Sequence, residues 1–456
     1  MKNLTLENIA KACGGIYVGS DADRTREVAD IVTDSRKAKE GSLFAAIPGE
    51  HVDGHRFIPQ VYAQGALCVL CEKEPEEEKG AYIRVESTLK ALMAIAEFYR
   101  KQLAVKVVGI TGSVGKTSTK EMIASVLSER YRVLKTPGNF NNELGLPLTV
   151  FGLREEDEVA VLEMGINHFG EMHRLSKIAR PDICVITNIG TCHLEFLGDR
   201  DGVLRAKSEI FDFIAPDGKI VLNGDDDKLS TLKEVKGIVP QFFGIESERG
   251  IRATDIENVG LKGVKCKIHD GTESFAVTIP IPGYHMVLNA LAATAVGRAL
   301  GMSYEEIRRG IEKLQALDGR FHIIEENGIT IVDDCYNANP MSMKASLGVL
   351  ADAAGRKVAI LGDMGELGGE ERQLHEEVGR FAAELDIPVF FCVGALCRCM
   401  AETIRQLDPG KQVITANTVD EALEALKGVI RAGDTVLVKA SHAMHFEKIV
   451  EALTKR

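Results

Sequence analysis

Gly112, Gly115, Lys116 and Thr117 stand together in the stretch Thr111-Gly112-Ser113-Val114-Gly115-Lys116-Thr117. Glycines let a backbone turn tightly and aim several N–H groups at one spot, and here a lysine and a hydroxyl follow at once. That set suits a chain of phosphates. The N–H groups cradle oxygens, Lys116 reaches the β- and γ-phosphates, and the Thr117 hydroxyl offers a magnesium ligand. Such a turn has to be delivered by a strand and continued by a helix whose dipole favours an anion. Residues 105–110 are an apolar, β-branched run that reads as a buried strand, and 118–129 continue at helical spacing. An ordinary strand-to-helix turn uses the same residue types, but here strand, glycine turn, Gly-Lys-Thr and helix occur together and in order. Gly112, Ser113, Gly115, Lys116, Thr117 and Ser118 are therefore the expected nucleotide-binding residues. The loop is one residue shorter than the commonest pattern of its kind, because only Ser113 and Val114 separate Gly112 from Gly115.

The elements around this turn imply a large α/β protein. A chain of 456 residues, 45% of them hydrophobic, can build several cores. A formal net charge of −12 argues against a nucleic-acid partner, which needs a basic face. No apolar run approaches a membrane span, and the first residues lack the apolar segment of a signal peptide, so a soluble cytoplasmic protein is expected. The ten cysteines lie mostly in apolar runs and read as reduced, buried thiols. Cys68 and Cys71 have the spacing of a zinc knuckle, but no second Cys or His pair follows at a suitable distance.

Three domains are expected: 1–83, 84–316 and 317–456, with boundaries near 84–104 and 316–322. The first is a small α/β unit of short elements with a loop at 49–55 and a charge run at 74–79. His51 and His55 fall in that glycine-containing loop, where a metal pair is not expected. In the second, strands alternate with helices from about 105 to 315, the pattern of a parallel sheet covered on both faces. In the third, strands at 329–332, 358–361, 389–393 and 436–438 alternate with helices near 341–353, 370–384, 395–407 and 419–431, which reads as a Rossmann-like α/β unit.

In open α/β sheets ligands bind beyond the carboxyl ends of the strands, and several predicted strands end there in polar residues. The strand at 159–162 ends at Glu163, and the strand at 183–186 ends in Thr187-Asn188-Ile189-Gly190-Thr191-Cys192-His193. A guanine-reading switch would show Asn-Lys-x-Asp at such a position, and this segment does not.

Several motifs complete the pattern. Asn139-Phe140-Asn141-Asn142-Glu143-Leu144-Gly145 follows the P-loop helix, then come Glu163-Met164-Gly165, His193-Leu194-Glu195 and Ala206-Lys207-Ser208-Glu209. Pro282-Gly283-Tyr284-His285 with Asn289, Asp318-Gly319-Arg320, Asp333-Asp334-Cys335-Tyr336-Asn337-Ala338-Asn339-Pro340 and Leu361-Gly362-Asp363-Met364-Gly365-Glu366-Leu367-Gly368 succeed them. Taken in order, these resemble the Mur ligase family, ATP-dependent amide-forming enzymes that extend the peptide of the cell-wall precursor. The short P-loop is also similar to that family's. The last two motifs imply the member that adds D-alanyl-D-alanine to a UDP-N-acetylmuramoyl-tripeptide in peptidoglycan synthesis. The alternatives are the ligase adding the third amino acid and a folylpolyglutamate synthetase. The motifs around Tyr336 and Glu366 argue against the former, and the first domain argues against the latter. A non-enzymatic nucleotide switch would have no use for His193 and Lys207.

The resemblance implies roles. Lys116, His193, Lys207 and Arg320 are the implied catalytic residues, acting on a carboxylate that ATP converts to an acyl phosphate. Thr117 and Glu163 would hold one magnesium, and His193 would ligate a second with a Lys207 carbamylated by CO₂. Asn289, Arg320 and Asp334 match positions that contact ATP. Ser35 and Arg36, with Asn141 and Asn142, match the region that binds the UDP-linked substrate. Plainer readings exist: Glu163 as a helix cap, His193 as a loop histidine, Lys207 solvent-facing or paired with Glu209, Arg320 in an interdomain salt bridge. One departure stands near the C-terminus. Val438-Lys439-Ala440-Ser441-His442-Ala443-Met444 occupies the place of an expected Lys-Gly-Ser-Arg, leaving Lys439 and Ser441 as candidates. A monomer is expected.

Overall fold

The computed structural model describes residues 1–49, 52–76 and 80–455. His51 and the end of the 74–79 charge run lie outside the described residues. Three sheets follow one another along the chain.

The first sheet has five strands in the order Ile16–Val18, Ala81–Arg84, Cys68–Cys71, Leu43–Ala45, Ile31–Val32. The first pair is antiparallel and the others are parallel. Its opening helix, Leu6–Cys13, is capped by the Thr5 hydroxyl and closed by Gly14. Helix Thr88–Lys101 then joins two units at once. Its buried Leu92, Ile95 and Tyr99 lie in one apolar cluster with Leu4, Leu6 and Ile9 before it and Leu146, Val150 and Leu175 after it. The Tyr99 hydroxyl donates to the Leu153 carbonyl at 2.7 Å. The first sheet is thereby attached to the second through a continuous core.

The central sheet has nine strands, in the order Glu273–Ile279, Val264–Asp270, Ile251–Asn258, Gln241–Gly244, Lys219–Asn223, Ile183–Ile186, Lys106–Thr111, Val159–Glu163, Val133–Lys135. The parallel sheet expected here is present from Val133–Lys135 to Ile251–Asn258, and an antiparallel extension that was not expected continues it. The strands from Ile251–Asn258 to Glu273–Ile279 pair antiparallel. Short turns join them, leaving no room for crossover helices, and buried Val264, Cys266 and Ile268 alternate with more exposed lysines. The P-loop strand lies between Val159–Glu163 and Ile183–Ile186, where the strand order reverses, which is where such sheets open a crevice. Helices Lys116–Leu127 and Tyr284–Ala299 pack together over one face, the second through a run of buried alanines that lets the backbones approach.

The third sheet has six strands in the order His322–Glu326, Ile329–Asp333, Asp434–Lys439, Arg356–Gly362, Val389–Val393, Gln412–Ala416. Its two edge strands were not anticipated. The side chains of His322–Glu326 and Gln412–Ala416 are largely half-buried or exposed, so neither carries a strong apolar run. Helix Val419–Leu426 stops short of the expected 431.

Candidate active site

The P-loop is held by its neighbours before any ligand arrives. Gly112 has φ 154°, and a Cβ there would lie 1.9 Å from Thr187 Oγ1. The Val114 carbonyl accepts from Thr187 Oγ1 at 2.7 Å and from Asn188 Nδ2 at 2.9 Å, while the Val114 N–H donates to Asn188 Oδ1 at 2.9 Å. Ser113 Oγ receives the Gly190 N–H at 2.8 Å. On the next helix, the Thr119 hydroxyl donates to Asn289 Oδ1 at 2.8 Å, which ties the loop's helix to Tyr284–Ala299. Lys116 folds back on the Gly112 carbonyl at 2.8 Å, a contact it can exchange for a phosphate. Asn188 is a residue that reasoning from sequence missed as a site residue. Its position directly after a strand was the available signal.

A cavity of about 940 Å³ opens above this loop, between the central and third domains. Ser113, Gly115, Lys116, Thr117, Ser118, Asn289 and Glu163 line the central side, with Asn141, Asn142 and His193 beside them. Arg320 and Asp334 line the opposing side. Gly112 lies just behind the wall. Ser35 and Arg36 are not among the lining residues. Ser35 is buried in the turn Ser35–Lys37, and Arg36 pairs with Asp34 at 2.8 Å with its side chain 85% exposed.

Glu163 ends its strand with a carboxylate in two different states. Oε1 accepts from Asn141 Nδ2 at 2.8 Å, whereas Oε2 is buried and has no hydrogen-bond partner. The plainer reading of a helix cap does not hold for this side chain. Buried Lys120, whose ammonium donates to the Thr136 carbonyl at 2.7 Å, stands 3.8 Å from Oε2. An unsatisfied buried carboxylate oxygen on the wall shared with the Thr117 hydroxyl is the donor set a hard divalent cation takes. Lys120 too was missed; it lies one helical turn beyond Lys116 in the same stretch.

Lys207 sits in the last turn of helix Arg200–Ser208, whose buried face also carries Val203 and Ala206. Gly202 lets this helix press against its predecessor, since a Cβ there would meet the Leu197 carbonyl at 1.8 Å. Lys207 is neither solvent-facing nor paired with Glu209, which accepts instead from the N–H groups of Gly170 and His173. Burial holds the Lys207 ammonium down at about 8; Cys192 opposes that shift and the Lys116 charge adds to it. His193 has φ 55° and faces the cavity. Burial, then the positive charges of Lys207 and Lys116, holds it at about 4, so its imidazole is neutral at pH 7 and free to act as a ligand. Its Nδ1 lies 3.4 Å from a carboxylate oxygen of Glu366, in the third domain.

From that domain Arg320 reaches across, its Nη2 donating to Thr117 Oγ1 at 3.4 Å. Its guanidinium lies 4.0 Å from the Tyr336 ring centroid, and Tyr336 in turn faces His442 at 5.4 Å. Among the described residues no carboxylate pairs with Arg320, so the salt-bridge reading fails. Asp334 is engaged by Lys439 at 2.5 Å and by the Ser346 hydroxyl at 2.6 Å.

Residues 27–100 match the Mur ligase family catalytic domain, 110–297 the Mur ligase middle domain and 319–442 the Mur ligase glutamate ligase domain. The chain belongs to the Mur ligase family. A UDP-N-acetylmuramoyl-tripeptide–D-alanyl-D-alanine ligase of Bacillus subtilis is 37% identical over 454 residues, 98% of each chain. Among solved structures, MurF from Acinetobacter baumannii superposes with TM-score 0.90 at 36% identity, covering 99% of both chains. MurF ligase from Thermotoga maritima in complex with ADP gives 0.82 at 30% identity, covering 93% of this chain and 97% of that one.

Within this Mur ligase the departing C-terminal segment has a local explanation. Ala440 is fully buried under the third sheet, Ser441 Oγ accepts the Gly365 N–H at 2.7 Å, and His442 stacks toward Tyr336. A trio of Asp363, His375 and Cys397 close by looks like a metal set, but its donors are already spent on the protein. His375 bonds the Glu371 carbonyl and the Met364 N–H, and Asp363 accepts the Cys397 N–H.

Proposed function

We propose that this Mur ligase joins D-alanyl-D-alanine to the terminal carboxylate of a UDP-N-acetylmuramoyl-tripeptide, releasing ADP and phosphate, in peptidoglycan precursor synthesis. One observation carries the reading at the level of chemistry: the P-loop, the orphaned Glu163 oxygen and His193 line one cavity facing an arginine from the third domain, and Lys207 is buried behind that lining, near enough for its charge to act on His193. A phosphate-binding protein without ligation would need only the first of these.

The chain's residues divide the work. The P-loop N–H groups and Lys116 hold the β- and γ-phosphates, while Asn289 and Asp334 border the nucleotide's place in the cavity. The peptide carboxylate attacks the γ-phosphorus, the bond to ADP breaks, and Lys116 and Arg320 offset the charge that develops. The dipeptide nitrogen then attacks the acyl carbon, phosphate leaves, and the nitrogen gives up its proton. Magnesium would be held by Thr117 and Glu163, with a second ion at His193, and would supply further screening of the converging anions. Carbamylation needs Lys207 as a free amine, a form that its lowered pKa of about 8 makes far more abundant than for an ordinary lysine: the amine nitrogen bonds to CO₂, one proton is lost, and a carboxylate replaces a cation.

In this reading residues 1–83 bind the UDP end, with Ser35 and Arg36 as contacts and Asn141 and Asn142 nearer the peptide. Residues 84–316 carry ATP, and 317–456 present the dipeptide. The protein acts as a cytoplasmic monomer. ADP release measured on the purified protein tests the assignment. It should require ATP, UDP-muramoyl tripeptide and D-alanyl-D-alanine together. Neither folate with glutamate nor a diamino acid with the UDP-muramoyl dipeptide should substitute, and turnover with either pair would move the protein to another substrate class.

A further inference from the structure

The wall opposite the P-loop carries a carboxylate that phosphate binding does not use. Glu366 follows strand Arg356–Gly362, lines the 940 Å³ cavity and has a side chain 75% exposed within it. Among the described residues no lysine or arginine pairs with it, and the His193 ring that lies 3.4 Å away is neutral at pH 7. Its backbone has φ 60°, a left-handed conformation that is strained for a non-glycine residue and persists only where the surroundings impose it. The two residues before it show how. The Met364 N–H donates to Nε2 of fully buried His375 at 3.0 Å, and the Gly365 N–H donates to Ser441 Oγ at 2.7 Å. The chain is thus pinned on both a helix and the segment after the last strand, and the next residue is turned into the cleft.

A second cavity of about 440 Å³ adjoins this position. Helix Leu194–Leu197 and Gly198 form its central-domain side, and Leu367 to Glu370 form the other. Its lining continues that of the larger cavity along both chains, since Leu194 follows His193 and Leu367 follows Glu366, and it includes no P-loop residue. A dipeptide entering here meets no competing nucleotide. Its ammonium end has reason to stop at an unpaired carboxylate, and is repelled from Lys116 further in.

We propose that Glu366 receives the ammonium group of the incoming dipeptide, and that the 440 Å³ cavity is the dipeptide's way in. This rests on the ligase reading above and adds to it the residue that selects and orients the nucleophile. The ion pair holds the nitrogen beside His193, where the activated carboxylate is expected, so that deprotonation leaves the lone pair already aimed.

Glu366→Gln and Glu366→Asp, each checked for an unchanged melting temperature, separate the possibilities. Two reactions are followed: ligation of D-alanyl-D-alanine, and trapping of the acyl phosphate as hydroxamate by hydroxylamine, which is mostly uncharged at neutral pH and needs no ammonium site. The Gln variant should raise the dipeptide KM about ten- to a hundredfold, the usual worth of a charged hydrogen bond. Its tripeptide-dependent hydroxamate yield and ATP KM should stay as in the parent, and the Asp variant should fall between. An unchanged dipeptide KM overturns the assignment, and so does equal loss of hydroxamate and ligation, because Glu366 would then serve His193 or the fold. If the unmodified protein forms no hydroxamate with the tripeptide, the ligase reading itself fails and takes this role with it.

Discussion

The P-loop and the turn Ser35–Lys37, the two places proposed to grip an anion, are built in opposite ways. At the P-loop, Val114 and Ser113 are clamped by Thr187, Asn188 and Gly190, and the following helix is tied to Asn289, all in a partly enclosed cleft. At the turn Ser35–Lys37, a single exposed guanidinium is held only by Asp34, two residues before it, whose carboxyl it keeps at about 2. The first grip positions a phosphorus atom for in-line attack, where small displacements cost rate, so it is pre-organised by backbone and buried polar groups. In the proposed reading the second would hold the far end of a long substrate, where attraction suffices and binding energy is passed on through the substrate's own covalent frame. How densely a site is cross-braced therefore reports how close it lies to the reacting atoms.

If that contrast is sound, substitution at the two ends should differ by orders of magnitude. Lys116→Ala should show the largest effect, a fall in kcat of about a thousandfold, the loss expected when a charge aimed at the transition state is removed. Its circular dichroism and melting curve should match the parent, because Lys116 is half-exposed and contacts only a loop carbonyl. Unfolding, or normal turnover, would break the contrast at its strong end.

Lys207→Ala comes next. The variant should be nearly inactive, and acetate should restore part of the turnover by offering a carboxylate in the vacated space. Activity that survives without acetate would remove an anionic Lys207 from the mechanism.

A smaller effect is expected in stability against pH. His285 lines the cleft, and burial there lowers its pKa from 6.5, with Asp334 opposing and Lys439 assisting. The unfolded chain takes up this proton below about pH 6.5 and the folded one does not, so stability falls as pH drops through that value. The melting temperature should decline from pH 7 to 5, less steeply in His285→Asn. The exposed Asp34–Arg36 pair should leave no comparable trace, since it titrates in solvent. A variant with an unaltered slope would mean that the cleft is wetter than its lining implies.

Arg36→Ala should be the mildest change, raising the KM for the UDP-linked substrate a few-fold with kcat unaffected, in keeping with one solvent-exposed charge contact. A large fall in kcat would show that the remote grip steers the chemistry after all, and would remove the contrast.

The central machinery was legible because it is local. The P-loop strand was expected over 105–110 and spans Lys106–Thr111, and its helix, expected from Ser118, starts at Lys116. Glycine turns, β-branched runs and helix spacing act over a few residues and leave their signature in order along the chain. The same holds for the third domain's inner strands, whose buried middles (358–361, 389–393 and 436–438) are continuous apolar runs. Its edge strands, and the antiparallel extension of the central sheet, are half-exposed and carry a weaker pattern that a parallel reading passed over.

Residue types and spacing alone pointed to Gly112 to Ser118 as a phosphate-binding turn, and the ordered resemblance to the Mur ligases added His193 and Lys207. They did not determine protonation, pairing or reach. Lys207 lies 14 residues beyond His193 in sequence, and no periodicity indicates that its amine would be buried close enough to add its charge to the desolvation that holds that imidazole neutral. Nor did the chain order say that Arg320 would lie over Tyr336 and reach Thr117, or that Glu366 would be turned toward His193 by His375 and Ser441. Desolvation and long-range contact depend on which surfaces exclude water together, and only the assembled domains decide that.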